Sequence, residues 1–590
     1  MQKYILRRVL LAIPALIGLT IIIFLVMRIL PGDVLTVMFG EEGTLQLSEE
    51  DRQRIMASLG LDKPIYLQYV DWLEDIVTLK LGQSFWRSHT VMDLIINRGP
   101  ITLEIAIFSV ILSWVIGLPV GILAAMKRNS ALDYAGRRTV IVLTLVLTLE
   151  WKAPLGVINL WEDPWKNLQI VWGPALVLGL GQAAYVCRMS RSALLETIHE
   201  DYIRTARAKG LAERLVIMRH ALRNAIMPVI TLSGVLLGFL IGGSVAVEQA
   251  FGVPGLGRTL VAAFFERDYV VIQNLVLLYG IVFVFTNLLV DISYAWIDPR
   301  IRSGIVAQIN PATTTGAEGE VLVQEGARPQ RGWWWVIIHF CQRNPMGAVS
   351  GIAIIVIVAI AVFAPVVATH HPTQEADFKA LREEPSAAHW MGTDDIGRDL
   401  YSRVIHGARI SLFVALVAVV VGDFLGAAWG VAAGYIGGRF DIYSQRFLEL
   451  MMSFPTLILA MILVLAMGAG VWTVIVAIGV TRIPIAVRVI RSVTLSVKEY
   501  AYVDAAHAIG ASGTRVMIRH IAPQCVAPWL VLATAHLGSV IILEASLGFL
   551  GVGVPLPTAT WGNMLGGPVA AGLIPRWWMV MFPGLAITVT

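Results

Sequence analysis

The chain has 590 residues, of which 57% are apolar and only 15% charged, with a mean hydropathy of +0.72 and a formal net charge of +4. Soluble domains carry nearer ~25% charged residues, so this composition excludes an ordinary soluble domain and indicates an integral membrane protein. Cys187, Cys341 and Cys525 lie far apart, with no spacing that would suit a metal site or a disulfide framework.

The first apolar run, Val9 to Met27, is long enough to span a bilayer (~20 residues). No small-residue cleavage site follows it, so it reads as a retained span with Lys3, Arg7 and Arg8 on the inner side. Further apolar stretches follow near 101–126, 168–187, 225–247 and 271–296. They resume after a polar gap near 347–368, 409–433, 447–469, 470–487, 526–550 and 573–590. Helices are expected throughout, because a chain crossing lipid must satisfy its backbone groups internally. The fold class is therefore all-α and polytopic. The loop 32–100, which carries turn residues and short helical patterns, is more acidic than basic and suits the outer side. The segment 303–332 is rich in Thr, Gly, Glu and Pro, has no periodicity, and reads as a flexible linker.

Basic residues orient the spans. Lys127, Arg128, Arg137 and Arg138 cluster in one loop, and eight Arg and Lys residues fall between Arg188 and Arg223. Both segments belong in the cytoplasm by the positive-inside rule.

One stretch invites a different reading. Gly252 to Thr259 reads Gly-four residues-Gly-Arg-Thr, with Arg258 where a phosphate-binding loop requires Lys. A working loop of that kind follows a strand in a soluble α/β domain, whereas this one follows a span and falls on the outer face. Pro254, Gly255 and Gly257 suit a tight turn at the membrane edge.

The chain repeats itself. Residues 187–228 align with 487–528 without a gap, at an offset of 300, and twelve pairs are identical. They include Arg188/Arg488, Arg191/Arg491, Tyr202/Tyr502, Ala206/Ala506, Ala208/Ala508, Gly210/Gly510, His220/His520 and Pro228/Pro528. The repeat implies two homologous halves, 1–302 and 333–590, joined by the linker. With an even number of spans per half they share one orientation, related by an axis along the membrane normal. What repeats is polar, basic and cytoplasmic. Gly210 and Gly510 are expected to end a short surface helix in a left-handed conformation, and the small residues before them leave room for a partner to approach. A duplicated amphipathic loop without function is the plainer alternative.

Ala-x-x-x-Gly followed by a further helix and Pro, between two spans, resembles the EAA loop of ABC-importer permeases. "LGLDKPIYLQYVDWL", "DYIRTARAKG", "FGVPGLGRTL" and "NLLVDISYAWIDPRIR" are similar to the first permease of dipeptide, oligopeptide and nickel importers. "HWMGTDDIGRDLYSRVIHGARISL", "GYIGGRFDIYSQRFLELMMSFPTLILA" and "LEASLGFLGVGVPLPTATWGNML" are similar to the second. The resemblance covers nearly the whole chain and implies a type I importer fold with about five or six spans per half. It implies two permeases fused in one prokaryotic inner-membrane protein with a cytoplasmic N-terminus. It implies docking of separate cytoplasmic ATPases near 204–216 and 504–516, through Tyr202, Ala206, Ala208, Gly210, Tyr502, Ala506, Ala508 and Gly510. It also implies an extracytoplasmic substrate-binding protein, contact with membrane lipid, and a peptide or nickel-complex substrate. No catalytic residue, metal site, bound cofactor or nucleic-acid partner is implied, since ATP is used by the partner subunits. Pro254, Gly255, Gly257 and Arg258 match the family's outer-face turn.

Departures from the family leave a transport-defective remnant open. The apolar run after Arg138 covers only 139–149, and Glu150 and Lys152 follow it, so the third span is expected to be short, strained or re-entrant. The second half stops partway into its last span, without the tail that the first half keeps as "DPRIR". The family's Glu is also absent from both loops. Asp423 is an isolated acid inside a span, and an intramembrane carboxylate is either functional or hydrogen-bonded in a helix interface. An ion-coupled transporter or channel would need matching carboxylates in both halves. The offset of 300 places Leu123 opposite Asp423, and the duplicated basic loop has no use in such a protein. A membrane-bound enzyme finds no HExxH or GxSxG signature.

Overall fold

The structure is a computed structural model that describes residues 2–29, 50, 62–126, 156–297, 338–339, 341–343, 345–566 and 576–590. The expected short third span of the first half, with Glu150 and Lys152, and the linker 303–332 lie outside the described residues. Among the described residues the regular elements are helical, and the described parts of the eleven apolar stretches fall on helices, with 347–368 and 447–469 each divided between two.

The first half contains α1 (Gln2–Ile29), α2 (Ile65–Val77), α3 (Val91–Met126), α4 (Pro164–Thr197), α5 (Asp201–Ala208), α6 (Leu222–Phe251), α7 (Leu256–Glu266) and α8 (Tyr269–Ile297). The second contains α9 (Pro345–Val362), α10 (Leu400–Ile436), α11 (Gly438–Met452), α12 (Thr456–Met467) and α13 (Val471–Lys498). It ends with α14 (Ala501–Ala508), α15 (Ala522–Phe549), α16 (Trp561–Leu565) and α17 (Trp577–Val589). Among the described residues, seven helical stretches are long and apolar enough to cross a membrane, and α11 with α12, bent by 89° at Ser453–Pro455, would make an eighth. Helices α1, α9 and α17 carry shorter apolar runs, at Ala12–Arg28, Gly347–Val362 and Trp577–Val589.

Small residues set how the spans pack. Without a hydrophobic driving force in lipid, helices associate where backbones approach closely. In the first half, a Cβ on Gly117 would stand 2.7 Å from the Ala183 carbonyl oxygen, and one on Gly121 2.7 Å from that of Cys187. In the second half, Gly426 meets the Ile483 carbonyl and Gly430 that of Val487 in the same way, at 2.9 and 2.8 Å. The α4–α13 register is the 300 residues of the repeat. The α3–α10 register is 309, because Gly117 matches Gly426 and Gly121 matches Gly430. The structural counterpart of Asp423 is therefore Trp114, which corrects the pairing with Leu123. A gapless offset cannot register a length difference in the chain joining α3 to α4, and there the first half is the longer.

The halves share one apolar core, to which Leu19, Ile23 and Val276 contribute from the first and Val414, Ile458 and Val540 from the second. Helix α2 supplies a short helix expected in the loop 32–100. Its Tyr69 and Trp72 lie 5.3 and 6.0 Å from the Phe24 ring, and Thr20 and Tyr69 share a 2.9 Å hydroxyl contact.

Candidate functional site

Helix α5 forms as a short amphipathic turn pair. Ile203 and Ala206 are buried, and Asp201, Arg204, Thr205, Arg207, Ala208 and Lys209 are exposed. Gly210, at φ +76°, stops it by taking the left-handed conformation that L side chains avoid. A three-residue helix (Glu213–Leu215) and a π-helical turn (Val216–Ala221) then lead into α6. The second half repeats each step. In α14, Val503 and Ala506 are buried, Gly510 has φ +82°, a short helix covers Gly513–Val516, and a π turn at Met517–Ile521 leads into α15. π-Helical turns are rare and cluster at functional positions. Two copies, one before each α6-type span, mark this connection as a built feature.

The surface helices end at Gly210 and Gly510, so they lie at 201–208 and 501–508, slightly before the expected 204–216 and 504–516. The left-handed glycine follows each helix, where it is expected to end it.

The predicted residues divide into two faces. Ala206 and Ala506 pack inward, against Leu194, Val216 and Ala221 in one half and Ile490, Val516 and Ile521 in the other. Their smallness fits each helix to its own bundle. Ala208, Gly210, Ala508 and Gly510 are exposed, and a Cβ on either glycine would meet nothing within 4 Å. Tyr202 and Tyr502 are half-exposed anchors. Asn224 Nδ2 donates to the Tyr202 hydroxyl at 2.8 Å, and the Tyr502 hydroxyl donates to the His520 carbonyl at 3.4 Å. In the first half Arg207 bridges the break by a two-pronged contact with Glu213, at 2.6 and 3.1 Å. That contact raises the Arg207 pKa. In the second half His507 instead stacks flat on Tyr435, with ring centroids 6.4 Å apart.

The 30-residue α6 separates this loop from Gly252–Thr259 by about 45 Å at 1.5 Å per residue. The turn is organised by Glu248, which sequence reasoning missed. Its carboxylate is fully buried and accepts from Thr102 Oγ1 at 2.8 Å, Ser244 Oγ at 3.1 Å and the Arg258 amide at 3.1 Å. Thr102 Oγ1 in turn accepts from the Leu256 amide at 2.9 Å, so carboxylate and hydroxyl together satisfy the N-terminus of α7. Gly255 and Gly257 are required by close approach. A Cβ on Gly255 would collide with the Glu248 carboxylate, and one on Gly257 would lie 2.6 Å from Val245 Cα. Gly252 caps α6 at φ +66°, and Arg258 donates from its guanidinium to the Gly252 carbonyl. Pro254 lies between these two glycines. Every group that suggested a phosphate loop is engaged in holding the turn to the bundle.

The second half builds the same corner from other residues. Ser411, at the 309-residue register from Thr102, accepts from the Trp561 amide at 3.3 Å. Thr560 and Asn563 form a reciprocal cap on α16, and Glu544 is buried beside Ser411 and Thr560.

Asp423 lies in the interior of α10 and is fully buried. Both its oxygens are 3.0 Å from His536 Nδ1 on α15. Arg482 of α13 is also buried and interacts electrostatically with it, although its Nε has no partner. The counterparts in the first half are Trp114, whose Nε1 donates to Ser233 Oγ at 2.6 Å, and Gln182, whose Oε1 has no partner. The same three-helix junction is thus charged in one half and neutral in the other. This is the hydrogen-bonded interface reading of Asp423. No carboxylate stands at the matching place in the first half, so the ion-coupled reading lacks the symmetry it requires.

Comparison with known proteins agrees with this architecture. The family model for binding-protein-dependent transport system inner membrane components matches twice, at residues 117–303 and 426–589. The N-terminal domain of such membrane components matches residues 1–106. The N-terminal transmembrane domain of oligopeptide transport permease C matches 333–385. The chain is 38% identical over 319 residues to the oligopeptide transport system permease protein AppB of Bacillus subtilis, a match covering 51% of this chain and 100% of that protein. It is 36% identical over 339 residues to the dipeptide transport system permease protein DppB of Escherichia coli K12, covering 51% and 99%. Each relative accounts for about half of the chain, as expected where two permease units are fused. The chain belongs to the family of binding-protein-dependent transport system inner membrane components, and it carries two units of that family in one polypeptide.

Proposed function

We propose that the chain is the translocation pair of a peptide importer, coupled to separate ATPases through α5 and α14. The observation that carries this reading is the duplication of helix, left-handed glycine and π turn before α6 and α15. A surface element repeated in both halves needs two equivalent partners, and a pair of ATPase subunits supplies them. The Arg- and Lys-rich surroundings support a cytoplasmic position for these elements and an outer position for the corners at α7 and α16. A substrate-binding protein would deliver its cargo there. The peptide assignment follows the names of the relatives above.

The mechanism needs no covalent step in this chain. ATP-driven closure of the ATPases would draw α5 and α14 together. Each short helix is fixed to its span through the π turn and its tyrosine, so the movement passes to α6 and α15. The halves would then rock about the shared core and alternate access. The chain would reside in a prokaryotic inner membrane with its N-terminus inside.

The test is co-purification of co-expressed ATPase subunits with a Gly210→Pro, Gly510→Pro double variant. Proline holds φ near −65° and cannot take the left-handed conformation found at both positions. Loss of the ATPases from a chain that still inserts supports docking here, and unchanged ATPase recovery rejects it.

A further inference from the structure

We propose that His370, His389 and Asp399 form a binding site for a zinc-class divalent cation at the outer end of the second half. The three residues converge from separate segments. His370 follows the short helix Ala364–Val367, His389 lies in the loop beyond it, and Asp399 is the N-cap of α10. Their ligand atoms all lie within 4.8 Å of one another. His389 Nδ1 is 3.0 Å from Asp399 Oδ1, and His370 Nδ1 is 3.7 Å from Asp399 Oδ2. A tetrahedral ion with bonds of ~2.0–2.1 Å holds its ligands about 3.4 Å apart, midway between these two separations. The imidazole rings stand 5.0 Å apart at 35°, side by side toward the same carboxylate.

Two imidazoles and one carboxylate are a donor set for zinc and its neighbours in the first transition row, not for calcium or magnesium. The surroundings hold Asp399 in place. Asp399 accepts from the Ser402 amide at 2.8 Å and from its hydroxyl at 2.6 Å, at the positive end of a 37-residue helix. Ser402 Oγ accepts from the His370 amide at 3.0 Å, which fixes the backbone carrying that ligand. Thr369 Oγ1 lies 3.0 Å from His370 Nδ1 and 3.5 Å from Asp399 Oδ2. The nearby guanidiniums of Arg398 and Arg403 are taken up by Asp394, at 2.7 and 3.5 Å, which removes the cations that would oppose a metal. His370 keeps about a third of its side chain exposed, so the fourth position opens outward to water. A cation there would staple the outer loop to the first turn of α10, independently of what the protein transports.

The probe is ZnCl2, titrated calorimetrically into the full chain in nanodiscs after removal of metal by a chelator, with the protein purified without a polyhistidine tag. Cobalt(II) supplies a second readout through its visible absorption. The expected result is one zinc per chain, an intense tetrahedral cobalt spectrum, and slower amide exchange across residues 370–399 with zinc present. His370→Ala removes a ligand that takes no part in the cap, since its contact with Ser402 is through the backbone. It should weaken zinc binding at least tenfold while α10 keeps its protection. His371→Ala, an exposed neighbour, should bind as the parent does. Equal zinc affinity in parent and His370→Ala, or loss in His371→Ala alone, overturns the site.

Discussion

Gly257→Ala should break the α6–α7 corner of the first half, and Gly243→Ala, fourteen residues earlier, should be harmless. A Cβ at position 257 would lie 2.6 Å from the backbone Cα of Val245. Carbon atoms pack at ~3.5–4.0 Å, so α7 would have to move away from α6 by about 1 Å. Val245 Cα is backbone and cannot swing aside as a side-chain tip could, and overpacking of that kind costs roughly 1–3 kcal/mol. The displacement would also stretch the hydrogen bond from the Arg258 amide to Glu248, now 3.1 Å. A loss of about 2 kcal/mol corresponds to a local opening some thirtyfold more frequent, at ~1.4 kcal/mol per factor of ten. A Cβ at position 243 meets nothing within 4 Å, and replacing an interior helical glycine by alanine gains roughly 0.5–1 kcal/mol. Hydrogen–deuterium exchange read on peptides covering 252–260 measures both effects. The corner should exchange about tenfold to a hundredfold faster in Gly257→Ala and no faster in Gly243→Ala. Equal exchange in the two variants would refute the close-approach reasoning.

Three further outcomes follow from the same geometry. Asp423→Ala leaves His536 and Arg482 buried without their carboxylate, and breaking a buried pair costs about 3–5 kcal/mol. Thermal unfolding in detergent should show a large drop for Asp423→Ala, and Trp114→Phe in the neutral half a much smaller one. Arg207→Ala removes an exposed ion pair, worth at most ~1 kcal/mol after solvent screening. Transport assayed in proteoliposomes with the ATPases present should therefore survive it, and a severe loss would give Arg207 a role in docking. The amide of Lys166 donates to the Asp163 carboxylate at the start of α4 and holds its pKa below the usual aspartate value. That contribution is present above the unfolded value of ~3.9 and lost as pH falls through the lower folded one. Fraying of the first turn of α4, followed by exchange corrected for intrinsic rates, should begin only below about pH 4 and become independent of pH in Asp163→Asn.

The spans, the repeat and the duplicated surface helix were legible because each is written locally. Apolar runs of spanning length, a gapless offset and a glycine after a short amphipathic helix need no knowledge of distant contacts. What escaped was long-range. Glu248 is bonded to Thr102, 146 residues earlier, and Asp423 to His536, 113 residues later. Nothing beside either acid announces its partner. The duplicated π turns have no composition of their own, so the sequence suggested only a continuous helix after Gly210. The counterpart of Asp423 was misplaced because the repeat was aligned in its strongest segment, where the register is 300, and carried into helices where it is 309. Of the "PGLGR" stretch, Pro254 and Gly255 lie in the expected turn and Leu256 to Arg258 open α7. The buried carboxylate that makes its glycines necessary emerged only from the packing of α6 on α7.

The central claim is that α5 and α14 are two equivalent docking helices. Single cysteines placed at Ala208 and Ala508, both exposed, and at Ala206 and Ala506, both buried, test it most directly. With the ATPase subunits co-expressed and a short bifunctional cross-linker added, cysteine at 208 and at 508 should each link to an ATPase subunit, with yields that change on adding ATP. Cysteine at 206 and 506 should not link. Cross-linking confined to one half, or absent from both 208 and 508 in a complex that still hydrolyses ATP, would contradict the account.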